Sequence, residues 1–597
     1  MSGSATPAHP DAPFVPPPGG DFLGHPKGLY VLFSTELWER FSFYSMRGIL
    51  VLYMVKALQF ADGHADHVYG AYLGFVYAAT FVGGMLADRL LGQRRAIYIG
   101  GLLMSLAQFT LTTHALLLAR GTSAASLSPV FFLGLALLSC GNGFFKPNIS
   151  TIVGTLYAPK DARRDSAFTI FYMGINIGAT LASFSGGIAE KWGWYLGYLL
   201  AGIGMIASLV TIFWGREWIE GRGLPPLGAT LARGRFGVPN GLLLFVGICI
   251  FLPVTAYMIS KPEYVQNLAL YISVPVLAYL FWEAARSANT QNGTSSTGTT
   301  ATAVFAVVLG FGVFACYQLF VPKSLEITES MFAAMGSFPW VTVGMIRTWE
   351  AAQPWPPLAY VWMLPLMVML GCFGSLVFRG TRTEEGGRIV VIVILCCFSM
   401  LFWGFFELAG STITRFTEQK IDRVILDWEV PAAFAVNFVN PFLIILMSIP
   451  FSWIWIWLDR KNLEPSSPFK FVMGLLQLGL GFVMFWLGAV QAGDDGKCGL
   501  IWLVLGFFLF TTGELCLSPV GLSMITKLAP ARLVGMFMGV WFLASALANV
   551  FASLIGGMTG EVGFDGVFLR IAIITGAAAV VLLCLAPLLK RNMHGIK

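Results

Sequence analysis

The residues with the clearest chemical potential sit where a lipid-crossing helix would normally carry no charge. The run TELWERFSFYSMRGIL holds Glu36, Glu39, Arg40 and Arg47. The first three are spaced i, i+3 and i+4 and share one helix face, and Arg47 returns to that face three turns after Glu36. Lys146 interrupts another apolar run, preceded by Gly141, Gly143 and two Phe residues and followed by Pro147, while Glu407 and Glu514 lie inside two later runs. An ionisable group at membrane depth is costly unless it faces water or a partner. Such a set marks a water-filled path or a network of paired charges within the spans. Asn176 and Asn440 are amides in apolar runs that can hydrogen-bond a substrate or a neighbouring helix. No Ser/His/Asp array, metal-ligand spacing or phosphate loop supports an enzyme, and His64 and His67 read as loop residues. Nine cysteines show no metal-site spacing, so neither a metal nor a disulfide is expected.

The elements that must hold these groups are apolar helices. With 56% hydrophobic and 11% charged residues, the 597-residue chain has too little polar surface to cover a water-soluble globule. Runs near 29–54, 70–90, 97–119, 129–156, 166–190 and 195–214 form a first set of six spans. A second six runs near 388–414, 432–458, 469–491, 499–523, 533–557 and 566–589. Between them lie apolar runs near 241–259, 264–282, 303–321 and 358–378, the Ser/Gly/Thr-rich linker 287–300 and the segment 322–356. If the two sixes are repeats of one orientation, two or four of these intervening runs cross the membrane. The expected division is a flexible tail 1–27, bundles 28–215 and 387–590, an insertion 216–386 and a short tail 591–597. Basic residues such as Arg89, Arg94, Arg95, Lys160, Arg163 and Arg164 follow the even-numbered spans of the first set, which places both termini in the cytoplasm. The net charge of +6 follows from those loops and their attraction to anionic lipid, without any nucleic acid. No cleaved secretory signal is visible in the Pro/Gly-rich start.

The charged run is similar to the peptide-transporter signature ExxERFxYY through Glu36, Glu39, Arg40, Phe41 and Tyr44. The strings GGMLADRLLGQRRA (83–96), GNGFFKPNISTIVGTLY (141–157), FYMGINIGA (171–179), FWGFFELAGS (402–411), VNPFLI (439–444) and GELCLSPVGLSMITKLAP (513–530) follow in family order. The chain therefore resembles the proton-dependent oligopeptide transporters of the major facilitator superfamily. That resemblance implies an all-α polytopic membrane protein with the major facilitator fold, its two six-helix bundles separated by two to four extra helices. It also implies a bacterial inner-membrane symporter for di- and tripeptides, driven by the proton gradient without a cofactor. By the same resemblance, Arg40 and Lys146 receive the peptide carboxylate, Glu36 and Glu39 compete for Lys146, and Glu407 pairs with Arg47 near the outer gate. Glu514 lies near the peptide amine or the inner gate, and Tyr44, Tyr77 and Trp541 line the cavity. Gly83 and Gly84 permit close helix approach, and Asp88 and Arg89 form a cytoplasmic gate element. Three positions depart from the family: Phe43 for Tyr, Leu408 for Gln and Asn437 where Gln is frequent. Each shortens a polar reach and leaves a non-peptide anion such as nitrate or a carboxylated metabolite as the alternative substrate.

Overall fold

The computed structural model describes residues 16–158, 161, 163–226, 231, 238–265, 384–461, 463–493, 496–528, 545–546, 548–550 and 552–594. Trp541, Lys160, linker 287–300, segment 322–356, the runs near 303–321 and 358–378 and most of those near 264–282 and 533–557 lie outside these residues. Six helices occupy the first half: α1 (Lys27–Lys56), α2 (Asp62–Leu86), α3 (Gln93–Ala119), α4 (Ala124–Thr155), α5 (Arg163–Trp192) and α6 (Trp194–Trp214). They match the six expected spans, every start lying one to eight residues earlier and every end within four residues of the expected one. After α7 (Asn240–Ser260), the second half provides α8 (Glu384–Phe406), α9 (Thr412–Lys420), α10 (Ala432–Arg460), α11 (Ser467–Ala492), α12 (Ile501–Leu528) and α13 (Thr559–Asn592). Among the described residues, ten helices are long and apolar enough to cross a membrane.

The chain divides into two compact units, Met1–Val265 with Phe398–Val520 and Met538–Leu583, and Gln266–Cys397 with Gly521–Phe537 and Cys584–Lys597. All site geometry below belongs to the first. In the second, Gly387 of α8 lies against Asn592 and His594.

Small residues set the spacing of the first-half helices. A Cβ on Gly83 would run into the backbone of Gly143, and one on Gly143 would meet Ala79 at 2.6–2.8 Å, so α2 and α4 touch backbone to backbone. Gly141 and Gly100 do the same for α4 and α3. Gly84 does not share this role, because a Cβ there would make ordinary contact with Pro147 at 3.7 Å. The close pairs fix the turn of α4 that carries Lys146. On the other side of α1, Gly178 lies against Leu37 and Arg40, and Gly204 against Phe41. The second half is filled instead by aromatic rings, with Phe482, Phe485, Phe507, Phe510 and Phe568 in edge and tilted contact.

Three sequence expectations change. The span expected at 388–414 is broken: α8 ends at Phe406, a 3₁₀ turn runs Glu407–Gly410, and α9 carries on to Lys420. His64 and His67 belong to the first turns of α2, not to a loop. The stretch expected to be a flexible tail ends in a hairpin, Asp21–Phe22 against His25–Pro26. That hairpin is held by Arg163 on Asp21 at 2.7 Å and by His25 on the Tyr157 hydroxyl at 2.9 Å.

The glycine contacts predict unequal tolerance. Gly143→Ala costs about 1–3 kcal/mol of overpacking, more than the ~1 kcal/mol that alanine gains over glycine in a helix. Thermal unfolding in detergent should therefore drop for Gly143→Ala and hold or rise for Gly84→Ala; equal melting of the two would refute the backbone contact.

Candidate functional site

Arg40 organises the first cluster. Its Nε lies 3.1 Å from Glu36 Oε1 and pairs with Glu39 Oε2, and all three side chains are buried on the shared face of α1. Asn142 of α4 donates to Glu39 Oε1 at 3.5 Å. The guanidinium also lies 5.2 Å from the Phe43 ring centre, so the position that departs from the family pattern still offers an aromatic face to the cation. Among the described residues, Glu36 Oε2 and Arg40 Nη2 find no hydrogen-bond partner. One carboxylate oxygen and one guanidinium donor are thus buried and unused in the middle of the helix.

A second cluster ties the two halves together. Arg47 of α1 pairs with Glu407, in the turn that breaks the α8–α9 span. Arg47 Nε donates to the Tyr69 hydroxyl at 2.7 Å, and its guanidinium lies 5.5 Å from the Tyr44 ring. Tyr77 of α2 donates its hydroxyl to Glu407 Oε1 at 3.1 Å. The approach requires a glycine: a Cβ on Gly410 would strike the Tyr69 hydroxyl and lie 3.2 Å from Arg47 Nε. Next to Arg47 on α1, Gly48 leaves room for the Asn437 side chain of α10, whose amide donates back to Ala433 O at 2.7 Å.

Lys146 connects to this second cluster through an aromatic ring. Its Nζ sits 4.7 Å above the Tyr77 ring, the same tyrosine that bonds Glu407. Among the described residues it makes no ion pair within 4.0 Å, because Arg40 holds both Glu36 and Glu39. In this state, the expected competition of those carboxylates for Lys146 is replaced by their pairing with Arg40.

Glu514 anchors a third cluster. Tyr172 of α5 donates to its Oε1 at 3.1 Å, and Asn440 of α10 donates to Oε2 at 3.2 Å and to Thr511 at 3.0 Å. The Asn440 amide is therefore engaged between helices. Asn176 turns back on its own helix, donating to the Tyr172 carbonyl at 3.0 Å. The expected gate residues Asp88 and Arg89 lie exposed on the π-helical turn Ala87–Leu91, where Asp88 accepts from Gln93 at 2.9 Å and forms no ion pair with a described residue. Among the described residues, no group of three or more His, Cys, Asp or Glu side chains could hold a metal.

Sequence reading missed Tyr69, Asn142, Tyr172 and Thr511. Tyr172 was within reach, since it stands four residues before Asn176 in a quoted motif string. Tyr69 was not, because an aromatic residue at the edge of an apolar run carries no sign of which cation it faces.

Comparison with known proteins assigns the lineage. The sequence model described as PTR2, POT family, matches residues 94–226 and 361–569, together over half of the chain. The peptide transporter YePEPT of Yersinia enterocolitica subsp. palearctica serotype O:3 (strain YE-P4) is 32% identical over 590 residues, covering 97% of each chain. The di-/tripeptide transporter of Lactococcus lactis subsp. lactis (strain IL1403) is 29% identical, covering 95% of this chain and 97% of its own. A crystal structure of a peptide transporter POT in complex with sulfate has 28% identity, covers 98% of both chains and superimposes with a TM-score of 0.67. A variant in complex with alafosfalin gives 26% identity, coverage of 97% and 98%, and a TM-score of 0.66. The likeness establishes the all-α major facilitator fold in a multi-pass membrane protein that is a transporter and not an enzyme. The chain belongs to the POT family of transporters.

Proposed function

We propose that the chain is a proton-coupled symporter that imports di- and tripeptides by alternating access. Its site is the central set Glu36, Glu39, Arg40, Tyr44, Arg47, Tyr77, Lys146, Glu407, Asn440 and Glu514, with Asn176 as a further lining residue. The observation that carries this reading is the Arg47–Glu407 pair, one partner from each half, with Lys146 one ring away on Tyr77. The peptide and di-/tripeptide transporters among the relatives, and the alafosfalin complex, support peptides as the substrate class.

The physical sequence follows from the pairings. A proton on Glu407 cancels its charge and releases Arg47, so the seam between α1 and the Glu407 turn loses its tie. The substrate carboxylate then competes for Arg40 and Lys146. Among the described residues, Arg40 brings an Nη2 without a hydrogen-bond partner, and Lys146 brings an ammonium held over an aromatic face and by no ion pair. A carboxylate taking Arg40 frees Glu36 and Glu39, which take up protons or pass to Lys146. At the other end of the substrate, the amine replaces Asn440 and Tyr172 as the partner of Glu514. Asp88 and Arg89 serve the cytoplasmic gate in the opposite state. The protein lies in a bacterial inner membrane with both termini in the cytoplasm, surrounded by lipid and using the proton gradient alone.

Proteoliposomes loaded under an inward proton gradient test the reading. Labelled di- and tripeptides should accumulate with wild type, and Lys146→Ala and Glu39→Gln should each abolish accumulation; absence of wild-type peptide flux would leave the anion alternative in its place. Tyr172→Phe removes a hydrogen bond to a charged group, worth about 1.5 kcal/mol, or roughly tenfold. Because the peptide amine must displace that bond, the substitution should lower the KM for peptides by up to that factor with kcat nearly unchanged, and an unaltered KM would remove Glu514 from amine binding.

A further inference from the structure

A second ion pair closes the same seam and has no place in the site above. Arg415 of α9 has a side chain only 1% exposed, and its Nη2 pairs with Asp66 of α2, which is fully buried. Nη2 also donates to Thr559 Oγ1 at 2.9 Å, and Nη1 lies 2.7 Å from Asp62 Oδ2. Thr412 donates to Asp66 Oδ2 at 3.3 Å. Among the described residues, Asp66 Oδ1 and Arg415 Nε find no hydrogen-bond partner. Gly556 packs against Thr412 and Asp66 without room for a side chain, and the Phe564 ring lies 5.8 Å from the guanidinium.

The two aspartates differ in one decisive respect. The Asp62 side chain is 36% exposed, whereas that of Asp66 is sealed. If α2 and α9 part, an ionised Asp66 would be left buried without its cation, and a stranded buried charge is strongly unfavourable. Asp62 carries no such penalty, since it already reaches water and already touches the same guanidinium. The other groups around the pair are Gln419, which donates to Asp62 at 3.2 Å, His64 and His67 in the same turns of α2, and Lys261 and Glu263 beside His64. Lys56 and Glu418 form a separate pair nearby on α1 and α9 at 2.8 Å.

We propose that Asp66 is a second proton-binding carboxylate of the transport cycle, and that protonating it leaves Arg415 held by the water-accessible Asp62 alone, which weakens the α2–α9 seam. This rests on the proton-coupled reading above. The seam then responds to two protons, one on Glu407 that releases Arg47 and one on Asp66 that removes the buried half of the Arg415 tie. Acid favours the open seam, since each carboxylate that gains a proton loses its hold.

The test uses the full-length protein in proteoliposomes, with two readouts. Dipeptide counterflow without a proton gradient must proceed in wild type; its failure would count against the functional reading itself. Given wild-type counterflow, Asp66→Asn should retain exchange, lower the proton-to-peptide ratio from reversal potentials by about one proton and lose part of the acid activation of uptake. An unchanged ratio and pH profile in an exchanging Asp66→Asn protein would overturn the proposal. Asp66→Glu keeps a carboxylate on a longer arm and covers the case in which the amide variant does not fold. It should keep the ratio and move the pH midpoint of uptake, and an unmoved midpoint would equally overturn it.

Discussion

The ion pair between Arg47 and Glu407 is the constraint on which the rest of the site depends. Both side chains are nearly sealed from solvent, and they come from opposite halves of the chain. In such surroundings a paired charge is tolerated and a single one is not, so the pair gives the seam two discrete conditions. Either both groups are charged and joined, or the carboxylate has a proton and the arginine finds another partner. A transporter that must avoid opening at both ends needs this kind of bistability, and in the proposed cycle a proton supplies the choice between states.

The surrounding fold serves to bring that pair together. Glu407 sits in a 3₁₀ turn where a lipid-crossing helix is interrupted, a break that Tyr77, Tyr69 and the buried packing of the turn make tolerable. Gly410 removes the side chain that would push Arg47 and Tyr69 away, and Gly48 does the same toward Asn437. Within the first half, Gly83, Gly100, Gly141 and Gly143 draw α2, α3 and α4 into backbone contact and thereby aim Lys146 at Tyr77. The first-half packing thus positions a cation, and the second half presents the carboxylate that shares its aromatic neighbour.

Much of this was legible in the sequence because charges in apolar runs are expensive and therefore conspicuous. Glu36, Glu39, Arg40, Arg47, Lys146, Glu407 and Glu514 could all be singled out this way, and the six spans of the first half followed from hydropathy. Pairing was less legible. Helical periodicity puts Glu36, Glu39 and Arg40 on one face but does not say that Arg40 takes both carboxylates and leaves Lys146 on a tyrosine ring. Asp66 and Arg415 were overlooked because they flank apolar runs, near 70 and 414, and a hydropathy reading assigns run ends to loops. Tertiary packing extended both helices past those ends and buried the charges. The break at Glu407 was hidden for a related reason: the run stays apolar across it, and only the Gly410–Ser411 step hints at a turn.

The most direct measurement is the distance between the two sides of the seam. Spin labels on Gln59, between α1 and α2, and on Leu426, 96% exposed between α9 and α10, report it in lipid bilayers. If the Arg47–Glu407 pair holds the seam shut, Glu407→Gln at neutral pH should populate the longer distances that acid produces in the wild-type protein. An identical distance distribution in wild type and Glu407→Gln, at neutral and acid pH alike, would contradict that mechanism.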